Sequence, residues 1–308
     1  MKRSTLYTVL AAAMVAALAV GCQESAPPGG EDDFKPKGLR ILSLTPNVTE
    51  ILFSLGLGNS IVGRSTHCDF PKEARTIPAV GDTLHLNLER IVSLEPTVAF
   101  IVTKRADVVR TIEGLGIRTV ALESDTMDEL METIDVIGRE TGRTAPAKTL
   151  REDIQHELRA VRRLVEGRPR PKVLFAFPMT VGSPNMMVAG RGTFVDELLN
   201  VAGGENAFPE TADWPTITPQ RAIQLAPEVV IINAVGKDAA PDRLKAISQA
   251  WLNWTSIPAV ANSRVYILQD EFLTIPGPTV GLAAERLARV IHRGGPRGIR
   301  PIRERNRP

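Results

Sequence analysis

The stretch Leu88-Glu89-Arg90-Ile91-Val92-Ser93-Leu94-Glu95-Pro96-Thr97-Val98-Ala99-Phe100-Ile101 returns later in the chain as Pro219-Gln220-Arg221-Ala222-Ile223-Gln224-Leu225-Ala226-Pro227-Glu228-Val229-Val230-Ile231-Ile232. Each copy reads as a short helix, a proline turn and an apolar run too short for a second helix, hence a buried parallel strand. Two further pairs keep the same order. Arg40-Ile41-Leu42-Ser43-Leu44-Thr45-Pro46 parallels Lys172-Val173-Leu174-Phe175-Ala176-Phe177-Pro178, and Thr49-Glu50-Ile51-Leu52 parallels Asp196-Glu197-Leu198-Leu199. A doubled strand–helix–strand unit predicts an α/β fold of two similar Rossmann-like lobes. Two facing lobes leave a cleft between them, which is the layout of a binding protein. Only two long units exist, so this is not a repeat array of the 20–50-residue kind.

Between the copies lies a segment that reads as one long helix. Thr144 is placed to cap it, Pro146 fits its first turn, and Gly167 followed by Pro169 stops it. Leu150, Ile154, Leu158, Val161 and Val165 fall on one apolar stripe, with Arg and Glu on the other face. Its roughly 22 residues would make a rod of about 33 Å, long enough to join two lobes and to restrain a hinge. The N-terminal lobe is placed at 39–143, with strands at 40–44, 61–63, 98–102 and 118–122 and helix ends marked by Gly56, Gly58 and Gly116. The bridging helix is placed at 144–167. The C-terminal lobe follows at 168–292, and its last helix starts at Val280.

The ends of the chain supply an address. Lys2 and Arg3 precede an apolar run that closes on Ala19-Val20-Gly21-Cys22, which describes a secretory signal over 1–21. The run falls short of the ~20 residues that span a bilayer comfortably. Ala-Val-Gly-Cys resembles a bacterial lipobox, which implies acylation of Cys22 and a protein exported and lipid-anchored to the cell or outer membrane, facing periplasm or exterior. Residues 22–38 read as a flexible tether with little to bury. With Cys22 acylated, Cys68 is the other of just two cysteines, so no disulfide framework is available. A formal charge of +2 points to no polyanionic partner. The exception is 293–308, a basic tail with six arginines among glycine and proline, read as a solvated, disordered end.

Five blocks in order carry a likeness to a known family. They are Ile41-Leu42-Ser43-Leu44-Thr45-Pro46-Asn47-Val48-Thr49-Glu50, Val62-Gly63-Arg64-Ser65-Thr66-His67-Cys68-Asp69-Phe70-Pro71, Asn87-Leu88-Glu89-Arg90-Ile91, Ala202-Gly203-Gly204-Glu205-Asn206-Ala207-Phe208 and Pro276-Gly277-Pro278. Together they resemble the iron/vitamin B12 class of periplasmic binding proteins, and most closely its cobalamin-binding members. The resemblance implies two lobes bridged by one long helix and a ligand held in the cleft. It further implies a monomer that hands its ligand to an ABC permease driven by an ATPase.

The same resemblance points to site residues. Trp214 matches one of the aromatics that line the family's cobalamin cleft, while His67, Thr83, Val102 and Met187 stand where others would be. Aromatic faces suit a broad, flat macrocycle, be it a corrinoid or a haem; a ferric siderophore is the further alternative. His67 and His85 lie on loops that the family places at the cleft, and a neutral imidazole could ligate the metal of a bound macrocycle. No cofactor of the protein's own is expected, because the metal arrives with the ligand. Glu89 and Gln220 occupy the places at which the family docks on its permease. A zinc or manganese importer would need several histidines converging from both lobes, and the second lobe offers none before His292. The rival from another class is a metallocofactor-handling enzyme that uses His67 and Cys68. No oxyanion-hole motif or third catalytic member accompanies that pair, and Gly190-Arg191-Gly192 lacks the Lys-Ser/Thr of a phosphate loop.

Overall fold

Two four-stranded parallel sheets organise the chain, and both are built to one plan. The computed structural model describes residues 38–178, 184–210 and 214–292. The signal-like run, Cys22, the tether to residue 37, Asp213 and the arginine-rich tail lie outside them. In the first lobe, β1 (Ile41–Ser43), β2 (Ile61–Arg64), β3 (Val98–Val102) and β4 (Arg118–Leu122) take the order β2-β1-β3-β4. In the second, β5 (Lys172–Ala176), β7 (Glu205–Asn206), β9 (Val229–Asn233) and β10 (Val265–Leu268) take the order β10-β9-β5-β7. Read from its other edge, the second order is the first. The register agrees as well, since Ile41 lies opposite Val98 and Val173 opposite Val229.

The two copies of the duplicated stretch share their details. Helices α2 (Leu88–Ser93) and α7 (Pro219–Leu225) are each capped by the preceding side chain. Asn87 accepts from the Arg90 amide at 2.9 Å, and Thr218 accepts from the Arg221 amide at 3.2 Å. Both segments then pass through a left-handed residue before the proline, Glu95 and Ala226, each at φ 46°. A proline disfavours right-handed helix in the residue before it, and a left-handed residue ends a helix cleanly. The helix therefore stops without the glycine that usually marks such an end.

Alternation along each strand sends its side chains to two different cores. Val98 and Phe100, Val173 and Phe175, and Val229 and Ile231 enter one core that runs continuously through both lobes. Ala99 and Ile101 face a separate core that includes Ile91, Val108 and Ile112. Leu174, Val230 and Ile232 face a third, which holds the fully buried Trp251. Covering both faces is what an all-parallel sheet requires. The shared core is closed by α1 (Pro46–Ser54), α4 (Met127–Glu140), α5 (Thr144–Val165), α6 (Phe194–Val201) and α10 (Val280–Ile291). α3 (Ala106–Glu113), α8 (Pro241–Leu252) and the short α9 (Pro258–Ala261) complete the helices of the described residues.

α5 is the bridge. Ile154, Leu158 and Val161 are buried, with Leu150 and Val165 partly so, while Arg, Lys and Glu fill the exposed face. Gly138 allows α4 to approach it, since a Cβ there would lie 2.5 Å from that of Ala147. The helix also carries an ion pair to α4, Arg151 with Asp135. Some local expectations change. Thr144 opens the helix rather than capping it, because the preceding position is Arg143, which makes no side-chain cap. Gly58 begins a 3-10 turn and does not take a positive φ, whereas Gly56 and Gly116 do. Trp251 and Trp254 read from sequence as sharing a helix, but Trp254 lies beyond the end of α8, edge-on against Trp251 at 4.8 Å. His292, at the end of the C-terminal lobe, has its Nε2 hydrogen-bonded to the Ala202 carbonyl at 3.0 Å.

Candidate functional site

The C-terminal ends of parallel strands are where open α/β sheets hold ligands, and here those ends meet across the two lobes. Beyond β4, the Asp125 carbonyl accepts from the Phe194 amide at 2.8 Å, and the Met127 amide donates to Glu197 at 2.6 Å. Ser124 donates to the Pro276 carbonyl at 3.4 Å, beyond the end of β10. α4 begins at this junction with a capping box, in which Thr126 and Glu129 exchange bonds with each other's amides. A fourth contact is charged. Glu50 of α1 is 4 % exposed and accepts from the Thr279 hydroxyl at 3.3 Å. Burial, countered in part by that hydrogen bond, raises its pKa to about 7.

On the first-lobe side, the structure brings together most of the residues picked from sequence. His67 follows β2, and the turn 82–85 folds back towards it. Asp82 sits between the two histidines, its Oδ2 4.0 Å from His67 Nε2 and its Oδ1 3.5 Å from His85 Nδ1. The amides of Leu84 and His85 donate to Asp82, and with the nearby imidazoles they hold its carboxyl below the usual range. Both histidine side chains are largely exposed. Thr83 is tied in through its carbonyl, which accepts from Arg105 at 3.4 Å just past β3. Val102, half-buried at the end of β3, donates its amide to the Thr45 hydroxyl. His67 thus lies beyond the C-terminal end of β2 and Val102 at that of β3, with Thr83 and His85 on the turn between.

The second-lobe side holds Met187 on a small antiparallel ribbon, β6 (Met186–Met187) with β8 (Thr216–Ile217), and Trp214 two residues ahead of β8. Phe177, absent from the sequence-based selection, joins them. Its amide donates to the Met187 carbonyl at 2.8 Å, and its ring lies 5.3 Å from that of Trp214 at a tilt of 56°. Met187 is exposed, while Phe177 and Trp214 are half-buried. The signal for Phe177 was its position: it stands one residue past β5 and is the counterpart of Thr45 in the repeated strand segment. An aromatic pair and a thioether make an apolar, polarisable surface suited to a flat ring system.

Glu89 and Gln220 take equivalent places on α2 and α7, and both are exposed. Beside each stands an exposed apolar residue one turn on, Val92 and Ile223, again equivalent in the two copies. Each lobe therefore presents a polar and an apolar residue on the same helix face. Nothing at the site supports nucleophilic chemistry. Cys68 is fully buried, its thiol lies 3.9 Å from the Ser43 carbonyl, and burial pushes its pKa up. Among the described residues no group of three or more His, Cys, Asp or Glu could hold a metal ion. No helix among them is long and apolar enough to cross a membrane.

Comparison with known proteins gives a consistent result. Residues 41–272 match the family described as periplasmic binding protein. An uncharacterised ABC transporter substrate-binding lipoprotein of Bacillus subtilis, YvrC, is 26% identical over 84% of this chain and 81% of its own. The vitamin B12-binding protein of Salmonella typhimurium is 27% identical over 82% of this chain and 90% of its own. Among solved structures, the periplasmic heme-binding protein RhuT from Roseiflexus sp. RS-1 superposes with a TM-score of 0.71 at 25% identity, covering 82% of this chain and 98% of that one.

Proposed function

The chain belongs to the periplasmic binding protein family, and we propose that it is the lipid-anchored solute-binding component of an ABC importer that holds a corrinoid between its lobes. It is a binding protein and not an enzyme. The observation that carries the ligand class is the apolar surface of Trp214, Phe177 and Met187 at the end of the second sheet, set across the junction from the polar edge of His67, Thr83 and His85. A corrinoid needs both, an apolar wall for its ring and polar groups for its amide periphery and metal. The named function of the Salmonella relative supports cobalamin. His67 or His85 would supply an imidazole to the cobalt. The metal comes with the ligand, and the protein contributes no cofactor of its own.

Haem is the second reading, favoured by the fold shared with RhuT and by the same exposed histidines. Calorimetric titration with cyanocobalamin, haemin and a ferric siderophore separates the two. The corrinoid should bind with one site per chain and the highest affinity, and tighter binding of haemin or siderophore would overturn the assignment. The visible spectrum of the complex assigns the histidines. Replacing both by alanine should change it, and an unchanged spectrum would remove the two histidines from the metal.

Delivery requires a permease and its ATPase. Glu89 and Gln220, each at the second position of a capped, exposed helix, are the docking points in this account. Export and acylation at Cys22 follow from the leader sequence, and the lipoprotein name of the Bacillus relative supports the anchor.

A further inference from the structure

Two cations follow β3 in close succession, Lys104 and Arg105, and each is tied to a different side of the ligand edge. Arg105 Nη1 donates to the Thr83 carbonyl at 3.4 Å, which joins it to the turn that carries His85. Lys104 Nζ lies 2.6 Å from Asp125 Oδ2, and the Asp125 carbonyl accepts from the Phe194 amide of the second lobe at 2.8 Å. The pair therefore stands between the histidine turn and the junction of the lobes. Both side chains are open to solvent, Lys104 by 70% and Arg105 by 48%.

Neither cation has all its donors committed. A guanidinium presents its N–H groups as a planar fork. Arg105 turns its Nε and an Nη2 proton to Asp107 and an Nη1 proton to Thr83, which leaves an N–H on each terminal nitrogen. Lys104 donates to Asp125 and keeps further N–H donors for a ligand. The carboxylates nearby have other groups that favour their charge. Asp107 lies in the first turn of α3, where the helix N-terminus attracts an anion. Asp82 accepts from the amides of Leu84 and His85, and Glu129 from those of Asp125 and Thr126. Exposed ion pairs such as Lys104–Asp125 and Arg105–Asp107 are worth ~1 kcal/mol or less, so a ligand's anion joins or displaces them at little cost. A ligand lying over the pair also excludes water, which strengthens a charge-assisted hydrogen bond.

We infer that Arg105, reinforced by Lys104, recognises an acidic oxygen group on the rim of the ligand's macrocycle, a phosphodiester or a carboxylate. The inference rests on the reading that a macrocycle occupies the cleft, and it adds what the rim of that macrocycle must carry. The wall of Trp214, Phe177 and Met187 is apolar, and an apolar surface discriminates weakly between flat rings of similar size. A positioned cation sorts them by their charged substituents instead. Cobalamin carries a phosphodiester in its nucleotide arm and haem carries propionates, so the same chemistry serves either ligand.

The test titrates the purified protein calorimetrically with matched pairs of ligands. Cyanocobalamin is paired with dicyanocobinamide, which lacks the phosphodiester, and haemin with its dimethyl ester, which lacks free carboxylates. Arg105→Gln should weaken the acidic member of the binding pair roughly 10- to 100-fold, as the loss of one charge-assisted hydrogen bond does, and the neutral member less than about twofold. Arg105 also holds the 82–85 turn, so a second variant is required. Lys104→Gln leaves the Arg105–Thr83 bond in place and should narrow the same gap roughly twofold to fivefold. Equal weakening of both members by Arg105→Gln would make it a support of the turn and overturn the inference. A gap unchanged in either variant would overturn it as well. Binding of the haemin pair alone would refute the corrinoid reading, and the inference is then decided on that pair by the same criterion. If none of the four ligands binds, both fall.

Discussion

Glu50 sits where the two lobes touch, with its carboxylate held by Thr279 and shielded from water. Its pKa is raised from 4.5 to about 7 by burial, so the folded chain binds this proton more tightly than the unfolded chain does. Below pH 4.5 both states are protonated and the site costs nothing. As pH rises through 7 the folded state must keep a charge out of water, and stability is lost by about 3 kcal/mol. Glu50→Gln should therefore match the wild type at pH 4.5 and exceed it at pH 8 in urea denaturation. A variant that is less stable at both pH values would show the carboxylate to be stabilising. Trp214 makes a different residue-level case. Trp214→Ala removes an aromatic face from the proposed wall and should weaken corrinoid binding by about 1–3 kcal/mol with the fold retained. Unchanged affinity would remove it from the site.

At the scale of elements, the duplicated helices make the docking account testable. A charge-assisted hydrogen bond contributes ~1.5–3 kcal/mol and a neutral one ~0.5–1.5. Glu89→Ala should accordingly impair transport in reconstituted vesicles more than Gln220→Ala, with ligand affinity in solution intact for both. If Glu89→Ala transports normally, or loses ligand instead, the docking role fails. The elements also show what could be read from sequence. β3 and β9 were legible because Val98–Ile101 and Val229–Ile232 are uninterrupted apolar runs after a proline, and α5 because its stripe repeats over four turns. The ribbon of β6 and β8 was not, since two-residue strands leave no period to detect. Glu50 was missed for a related reason. Its helix carries a normal apolar stripe, and the glutamate is buried only because the loop Pro276-Gly277-Pro278-Thr279 of the other lobe closes over it. The likeness of the cleft loops was readable, yet Phe177 gained meaning only from the ring set against it.

At the scale of the whole molecule, one hydrophobic core runs through both lobes and beneath α5, so the lobes are coupled by packing as well as by the chain. Large hinge closure would expose that core, and ligand capture by loop and side-chain adjustment follows. The anchor is tested by Cys22→Ser, which should move the protein from the membrane fraction to the soluble one. A mutant that stays with the membrane as uncleaved precursor would make the leader a retained anchor. The central claim is that one corrinoid contacts both lobes at once. Hydrogen exchange with and without saturating cyanocobalamin measures this most directly. The account predicts joint protection of 65–69 and 82–85 in the first lobe and of 186–187 and 214–217 in the second. Protection confined to one lobe, or none at saturation, would contradict it.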